Sequence, residues 1–145
     1  MPTTRARRKN RVSVQFAVAR RGIPSAARLR EWTLGQRGIT LRIVGEREGR
    51  RLNRVYRKKN YPTNVLSFDT GDIVLCHPVI AREARAQGKA IAAHYAHLVV
   101  HGVLHLRGYD HKNKSEAARM ERAERRILAR MGVADPYAVK SRLPG

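Results

Sequence analysis

Hydrophobic and polar residues alternate with two different periods along this chain, and these periods predict its secondary structure. In segment 12–18, every second residue is apolar, a pattern typical of a strand with one buried face. Segment 39–43 repeats this pattern and predicts a second strand. Two more strands are predicted at 64–68 and 72–76, joined by the short turn 69–71. Together they predict a small mixed sheet of about four strands.

A longer period, typical of helices, occupies most of the remaining chain. Ser25 can cap the first predicted helix, and the second carries Leu52, Val55 and Tyr56 on one side, with arginines around the rest. The later helices are predicted to span about 78–87, 90–106 and 113–132. The prediction is therefore a single α+β domain over residues 11–140, in which the sheet packs with about five helices.

The helix predicted at 90–106 is apolar around most of its surface, which is typical of a buried central helix. Its polar residues are His94, His97, His101 and His105, which fall in one narrow sector at about 100° per residue. A buried polar stripe must face a metal, a cleft or hydrogen-bond partners. For His94 and His97 we expect hydrogen bonding in the core or support of metal ligands, rather than ligation itself.

Three histidines at the end of this helix have the spacing His-x3-His-x2-Gly-x2-His. His101 and His105 lie one turn apart on the same face. Gly108 can adopt the left-handed conformation that ends a helix, so that His111 can return toward the other two. Three neutral imidazoles with an open fourth position are typical of a catalytic zinc site. The sequence therefore predicts one Zn²⁺ per chain.

A class of zinc proteases has the same ligand spacing but begins with His-Glu-x-x-His. Here the position of the protease glutamate, which acts as general base, is Gly102. The ligand pattern is intact while the base is missing. This favours a metal hydrolase whose chemistry is not that of the proteases.

The net charge of the chain indicates what kind of molecule the protein binds. The chain has 31 Lys and Arg against 11 Asp and Glu, a net charge of +20. Such a charge implies a polyanion, either nucleic acid or an anionic membrane surface. The preference for Arg favours nucleic acid, because guanidinium binds phosphate in a bidentate manner and stacks on bases. A GC-rich genome would explain the preference for Arg over Lys, but not the shortage of acidic residues.

Residues 1–10 are predicted to form a disordered basic arm that adds RNA affinity, and residues 141–145 are predicted to form a tail.

Several features argue against export, membrane insertion or a nucleotide cofactor. No apolar stretch approaches the roughly 20 residues needed to span a bilayer, and no apolar segment follows the basic N-terminus. The chain has no glycine-rich phosphate loop. Cys76 is the only cysteine, which excludes an internal disulfide and suits a reducing compartment. We therefore expect a cytoplasmic protein.

Several longer segments match a known pattern in the same order, over about residues 39–137. They are Leu52-Asn53 with Tyr56-Arg57, Tyr61-Pro62-Thr63-Asn64-Val65-Leu66-Ser67-Phe68, Gly71-Asp72-Ile73-Val74, the run from His97 to His111, and Asp135-Pro136-Tyr137. By these segments the chain resembles the YbeY family of bacterial metal-dependent endoribonucleases. The resemblance implies that His101, His105 and His111 bind the metal and that Arg57 faces the metal cleft. It also implies single-strand cleavage in ribosomal RNA (16S 3′ end) processing, with the small ribosomal subunit and assembly factors as partners.

RNA hydrolysis needs a cation for the charge that develops on the phosphorane, and Arg57 is the candidate. Asn64 and Ser67 are candidate substrate-binding residues, or alternatively cap and pair the strand. The general base is either metal hydroxide or the RNA 2′-hydroxyl.

Two other function classes stay open. One is a non-catalytic RNA-binding assembly factor with structural zinc, in which His97 would be a fourth ligand. The other, with less support, is a metalloprotease.

Overall fold

The computed structural model describes residues 11–138, so the predicted basic arm and the tail lie outside the described residues. Within this part of the chain, strands and helices follow one another in the order predicted. They are β1 (Val12–Phe16), α1 (Ala26–Glu31), β2 (Ile39–Val44), α2 (Glu46–Arg57), β3 (Val65–Ser67), β4 (Asp72–Cys76), α3 (His77–Gln87), α4 (Ile91–Leu106) and α5 (Lys114–Arg130). The predicted α+β fold of four strands and five helices is confirmed.

The four strands form one mixed sheet in the order β1-β2-β4-β3. The pairs β1–β2 and β2–β4 are parallel, while β3 is an antiparallel edge strand next to β4. Leu41 lies beside Ile73, so alternate residues of neighbouring strands line the same buried face. The short turn after Phe68 makes the β3–β4 hairpin, as the turn residues predicted.

Helix α4 lies at the centre of the hydrophobic core, between the sheet and α5. Its apolar side chains contact those of β2, β4, α1 and α5 in one cluster. The fully buried members include Tyr95, Val99, Val103, Leu41, Ile73, Leu29, Met120 and Leu128. The prediction of a central buried helix that carries histidines is therefore confirmed. No helix among the described residues is long and apolar enough to cross a membrane.

Of the three large apolar residues of helix α2, only Leu52 packs against the core, whereas Val55 and Tyr56 face solvent. Val55 and Tyr56 are 56% and 57% exposed, and the buried positions are Gly49 and Asn53. A Cβ atom at Gly49 would lie 2.9 Å from the Sγ of Cys76, so glycine permits the helix to approach β4. The Asn53 amide donates a hydrogen bond to the Tyr61 carbonyl at 2.7 Å. Backbone approach and a polar contact therefore decide which side of α2 is buried.

Candidate metal centre

The three histidines of the spacing motif lie together at the end of α4. The ring centroids of His101 and His105 are 6.4 Å apart, and that of His111 lies 5.7 Å and 5.9 Å from them. Gly108 has φ +101°, a left-handed conformation that turns the chain back after the helix. This turn brings His111 to the other two rings. The structure thus places the three predicted metal-binding residues in one cluster, which we call the histidine triad.

The hydrogen bonds of the triad leave the nitrogen atoms needed for a metal free. His101 Nδ1 lies 2.5 Å from a carboxylate oxygen of Glu124, and His105 Nδ1 lies 3.0 Å from the Tyr109 carbonyl oxygen. Because both oxygens only accept, each Nδ1 donates, which leaves Nε2 as the ring nitrogen that a metal can use. Three imidazoles on one tetrahedral zinc have ring centroids roughly 5 Å apart. The ring separations of the triad, 5.7 to 6.4 Å, exceed this value by about 0.7–1.4 Å. The chemistry of its donor set therefore suits zinc, while the rings would have to move closer together to share one ion.

His111 completes the triad from the loop that follows α4. Its side chain is 56% exposed, and its backbone N–H donates to the Asp110 carboxylate at 2.7 Å. This hydrogen bond, with the positive charges of neighbouring residues, lowers the pKa of Asp110. The carboxylate oxygen also lies 3.8 Å from His111 Nδ1. One edge of the triad is therefore open to solvent, as a site that receives a large substrate requires.

Glu124 of α5 is a fully buried carboxylate beneath the triad. It accepts hydrogen bonds from His101 Nδ1, from His97 Nε2 at 3.1 Å and from the Tyr137 hydroxyl. Burial alone would raise its pKa, but the hydrogen bonds from His101, His97 and Tyr137 outweigh burial and lower the pKa to about 2. Burial, with the neighbouring charge of Glu124, raises the pKa of the Tyr137 hydroxyl. A charged carboxylate therefore orients the His101 ring.

A second set of potential ligands overlaps the triad. One donor atom each from His97, His101 and Glu124 lies within 4.8 Å of the other two, so these residues form a possible metal site. The two sets share His101. In this second set the Glu124 carboxylate already accepts three hydrogen bonds, and His97 lies within hydrogen-bond distance of Tyr137 at 3.2 Å. Because His101 belongs to both sets, it is a potential metal ligand in either arrangement.

Gly102 occupies a position where packing leaves no space for a side chain. A Cβ atom there would lie 3.0 Å from Cδ1 of Ile73 and 3.1 Å from Oγ of Ser67. Even a Cβ atom would require the Ile73 and Ser67 side chains to give by a few tenths of an ångström, and a glutamate side chain would have to fit beyond it. This is a structural reason for the missing protease base, and it argues against the metalloprotease alternative.

Arg57 lies at the end of α2, on the other side of β3 from α4. Its Nη2 donates to the Ser67 carbonyl oxygen at 3.0 Å, and its guanidinium lies 5.4 Å from the centroid of the Phe68 ring. Ser67 in turn contacts Gly102 of the histidine helix. Ser67 therefore connects Arg57 to α4, and the exposed guanidinium retains further N–H groups for a ligand.

Asn64 belongs to a hydrogen-bond network that holds β3 to the helices. Its amide donates to Glu83 at 3.0 Å, and the same carboxylate oxygen lies 2.8 Å from His94 Nε2. Its own Oδ1 accepts from the Val65 backbone N–H at 2.6 Å. Burial lowers the pKa of His94. Both polar ends of the Asn64 side chain thus have protein partners, as the strand-capping alternative requires.

The roles of Glu124 and Tyr137 were not predicted from the amino-acid sequence. A signal for Glu124 was present, because it lies four residues from both Met120 and Leu128, on the buried side of α5. An acidic residue at a buried position needs a partner. No comparable signal for Tyr137 exists, since it follows α5 in an irregular segment and reaches Glu124 only through the tertiary fold.

Comparison with known proteins identifies many similar sequences. A family model described as "Endoribonuclease YbeY" matches residues 7–132. A protein of Aromatoleum aromaticum named "Endoribonuclease YbeY" is 53% identical over 126 residues, which cover 79% of this chain and 82% of that protein. A protein of Alkalilimnicola ehrlichii with the same name is 50% identical over 149 aligned residues, covering 87% of this chain and 90% of that protein.

A solved structure is also similar to the chain as a whole. The solution structure of a protein from Thermotoga maritima aligns with a TM-score of 0.52 at 22% sequence identity. The alignment covers 89% of this chain and all of that protein. At this identity the likeness concerns the fold alone.

Proposed function

Since this chain belongs to the Endoribonuclease YbeY family, we propose that it is an endoribonuclease that depends on a bound metal ion. The names of its relatives support cleavage within RNA chains. The observation that carries metal dependence is the triad, in which two anchored Nδ1 atoms leave both Nε2 atoms free beside His111. The net charge of +20 suits a polyanionic substrate.

We propose that the ion is one Zn²⁺ per chain, held by His101, His105 and His111. Imidazole nitrogens in a set of three suit zinc and leave one position for water or substrate. When bound, zinc lowers the pKa of water to about 7 and polarises a phosphoryl oxygen. The set with Glu124 is less suitable, because that carboxylate is fully buried and already accepts three hydrogen bonds.

The hydrogen bonds of His97 favour a catalytic ion over a structural one. A closed site would need a fourth protein ligand, and His97 is the candidate. Its Nε2 lies within hydrogen-bond distance of both Glu124 and Tyr137, and its Nδ1 is buried without a partner in the described chain. His97 therefore supports Glu124, which in turn orients His101. The exposed edge at His111 is left for substrate.

Arg57 is the proposed catalytic cation. The Ser67 carbonyl and the Phe68 ring hold its guanidinium, so little side-chain entropy is lost when a phosphate binds. Its free N–H groups can contact two oxygens of one phosphate. The backbone carbonyl of Ser67 positions Arg57. Asn64, directly before β3, holds this strand to α3 through its hydrogen bond with Glu83. Binding of substrate by the side chains of Ser67 and Asn64 stays a prediction.

The proposed substrate is single-stranded ribosomal RNA, with the 16S 3′ end as the processed site. The small ribosomal subunit and assembly factors are the proposed partners, in the cytoplasm. Support comes from the excess of 31 basic over 11 acidic residues and from family membership.

One experiment separates the three function classes. Purified protein is incubated with single-stranded RNA and, separately, with a peptide mixture, each with and without a chelator. We expect cleavage of RNA but not of peptides, loss of cleavage with chelator, and recovery when zinc is added. Thermal unfolding should stay cooperative in chelator, because the core does not include the triad. Unfolding on chelation would instead indicate structural zinc, and cleavage of peptides would indicate a protease.

Replacement of Glu124 by glutamine is expected to weaken zinc binding about 10- to 100-fold, because a neutral amide cannot hold the His101 ring as a carboxylate does. Competition with a chromophoric chelator measures the affinity. Glu31→Gln is the control, since this exposed carboxylate at the end of α1 has no hydrogen bond or ion pair with the cluster. Equal zinc affinity of the Glu124→Gln protein and the wild type would contradict the role of Glu124.

A further inference from the structure

A groove lies between α2 and the face of the sheet that points away from α4. Its volume is about 400 Å³, within the range of roughly 300–1,000 Å³ that is usual for small-ligand sites. Six of its ten lining residues are polar or charged, and four are apolar or aromatic. The lining includes Leu52, Tyr56, Phe68, Gln15, Thr40 and Asp72. Such a lining suits a flat, partly polar ligand.

Tyr56 provides this groove with an aromatic surface that the fold does not use. Its ring packs edge-on against Phe68, with centroids 5.2 Å apart and planes at 72°. The side chain is nevertheless 57% exposed, and with Val55 and Tyr61 it forms the set of exposed large hydrophobic residues in the described chain. A ring that is more than half exposed and fixed by one aromatic neighbour is available for stacking, which stabilises single-stranded nucleic acids on proteins.

The polar groups inside the groove suit a base better than a phosphate. Glu48 lies within the groove and forms a bidentate ion pair with Arg42, at 2.8 Å and 3.0 Å. The Asp72 carboxylate accepts a hydrogen bond from the Thr70 hydroxyl at 2.6 Å. Because Arg42 also lines the groove, the two carboxylates and one guanidinium of its lining leave a net negative charge that disfavours a phosphate. The carboxylates can accept hydrogen bonds from the amino and imino groups of nucleobases.

The rim of the groove has the opposite charge. Both acidic residues of α2 are paired, since Glu46 binds Arg82 at 2.8 Å and Glu48 binds Arg42. Arg47 and Arg51 of the same helix are exposed, and their side chains have no partner in the part of the chain that the structure describes. Each precedes a groove residue, Glu48 or Leu52, by one position on α2, so unpaired positive charge near the groove complements a phosphate backbone that passes over it.

Phe68 connects the groove to the proposed catalytic cation. The same ring packs against Tyr56 and lies beneath the guanidinium of Arg57. A nucleotide whose base stacks on Tyr56 therefore has its phosphate close to Arg57. The groove and the histidine triad lie on opposite sides of β3, with Arg57 and Ser67 between them.

We propose that this groove is a nucleobase pocket, which holds an unpaired base of the RNA next to the phosphate that Arg57 contacts. This inference rests on the proposed function, since the ligand is the same RNA. Stacking on Tyr56 requires a base that is free of its partner strand. The pocket therefore provides a physical basis for selectivity toward single-stranded RNA.

The test is equilibrium binding of a short oligouridylate that carries a single 2-aminopurine, with chelator present so that no cleavage occurs. Anisotropy measures affinity, and quenching of 2-aminopurine reports stacking. In Tyr56→Ala we expect about 5- to 150-fold weaker binding and a loss of quenching. Tyr56→Phe should keep both. The matched control is Val55→Ala on the same helix, a residue of nearly equal exposure that should change neither.

Equal affinity and equal quenching in Tyr56→Ala and wild type would overturn the proposal that this groove binds a nucleobase. An equal loss of affinity for a duplex of the same length would also overturn it, because paired bases cannot stack on Tyr56. If Tyr56→Ala does not fold, Tyr56→Leu keeps an apolar contact with Phe68 without a ring and should lose quenching. Wild-type protein that stacks the base but never cleaves RNA would contradict the proposed nuclease and leave the pocket supported.

Discussion

Replacement of both His101 and His105 by alanine is expected to reduce bound zinc from about one ion per chain to near zero and RNA cleavage to background. His111 would be left as a single ligand on an exposed loop, and one imidazole cannot retain zinc. The hydrophobic core around α4 stays in place, so thermal unfolding should remain cooperative. Elemental analysis of the purified protein measures the stoichiometry. His77→Gln removes a histidine outside the cluster and should keep full metal.

Single variants distinguish the two donor sets that share His101. His105 belongs to the triad alone, whereas His97 belongs only to the set with Glu124. We expect the larger loss of zinc in His105→Ala. Retention of zinc in His105→Ala together with its loss in His97→Ala would assign the ion to the Glu124 set and contradict the triad. Full zinc in the double variant would exclude both sets.

Replacement of Arg57 by alanine is expected to lower kcat for RNA cleavage about 10²- to 10³-fold, or roughly 2.7–4 kcal/mol in activation free energy. The variant loses a charged donor that a carbonyl and an aromatic ring hold in position. Metal content and fold should not change, because Arg57 contacts neither the triad nor the buried core. Single-turnover cleavage at saturating RNA measures the effect.

Two controls make the Arg57 result specific. Arg85→Ala removes one positive charge from an exposed site on α3 and should leave kcat unchanged. Arg57→Lys keeps the charge but lacks the planar guanidinium, so we expect only partial activity. Equal turnover in Arg57→Ala and wild type would show that Arg57 has no catalytic role and is only a charged surface residue. A parallel loss in Arg85→Ala would indicate a general effect of charge.

The histidine triad could be predicted because its geometry is local. His101 and His105 are one helical turn apart, and the left-handed turn at Gly108 follows from a residue type that permits it. The relation of Arg57 to the triad is not local. It depends on β3, because Ser67 meets the guanidinium through its carbonyl and α4 through its side chain. Family resemblance indicated Arg57, whereas periodicity could not.

The packed side of α2 shows where hydrophobicity is an insufficient guide. Leu52 packs against the core, but Val55 and Tyr56 are exposed, while Gly49 and Asn53 are buried. Glycine is buried because the backbone approaches Cys76, and asparagine because it binds the Tyr61 carbonyl. Neither reason can be inferred from the pattern of apolar residues along the helix. The same exposure leaves Tyr56 free for the proposed nucleobase pocket.

Amino-acid order alone was sufficient to predict the α+β class, the order of strands and helices, the buried helix and the three clustered histidines, because these follow from periodicity, capping and local turns. Packing decided which residues support that cluster. Glu124 lies 23 residues from His101 in sequence and meets it only where α5 crosses α4. Packing also decided that residue 102 is tightly enclosed, since side chains of β3 and β4 lie beside it. Such contacts depend on the relative positions of whole elements, which no local pattern specifies.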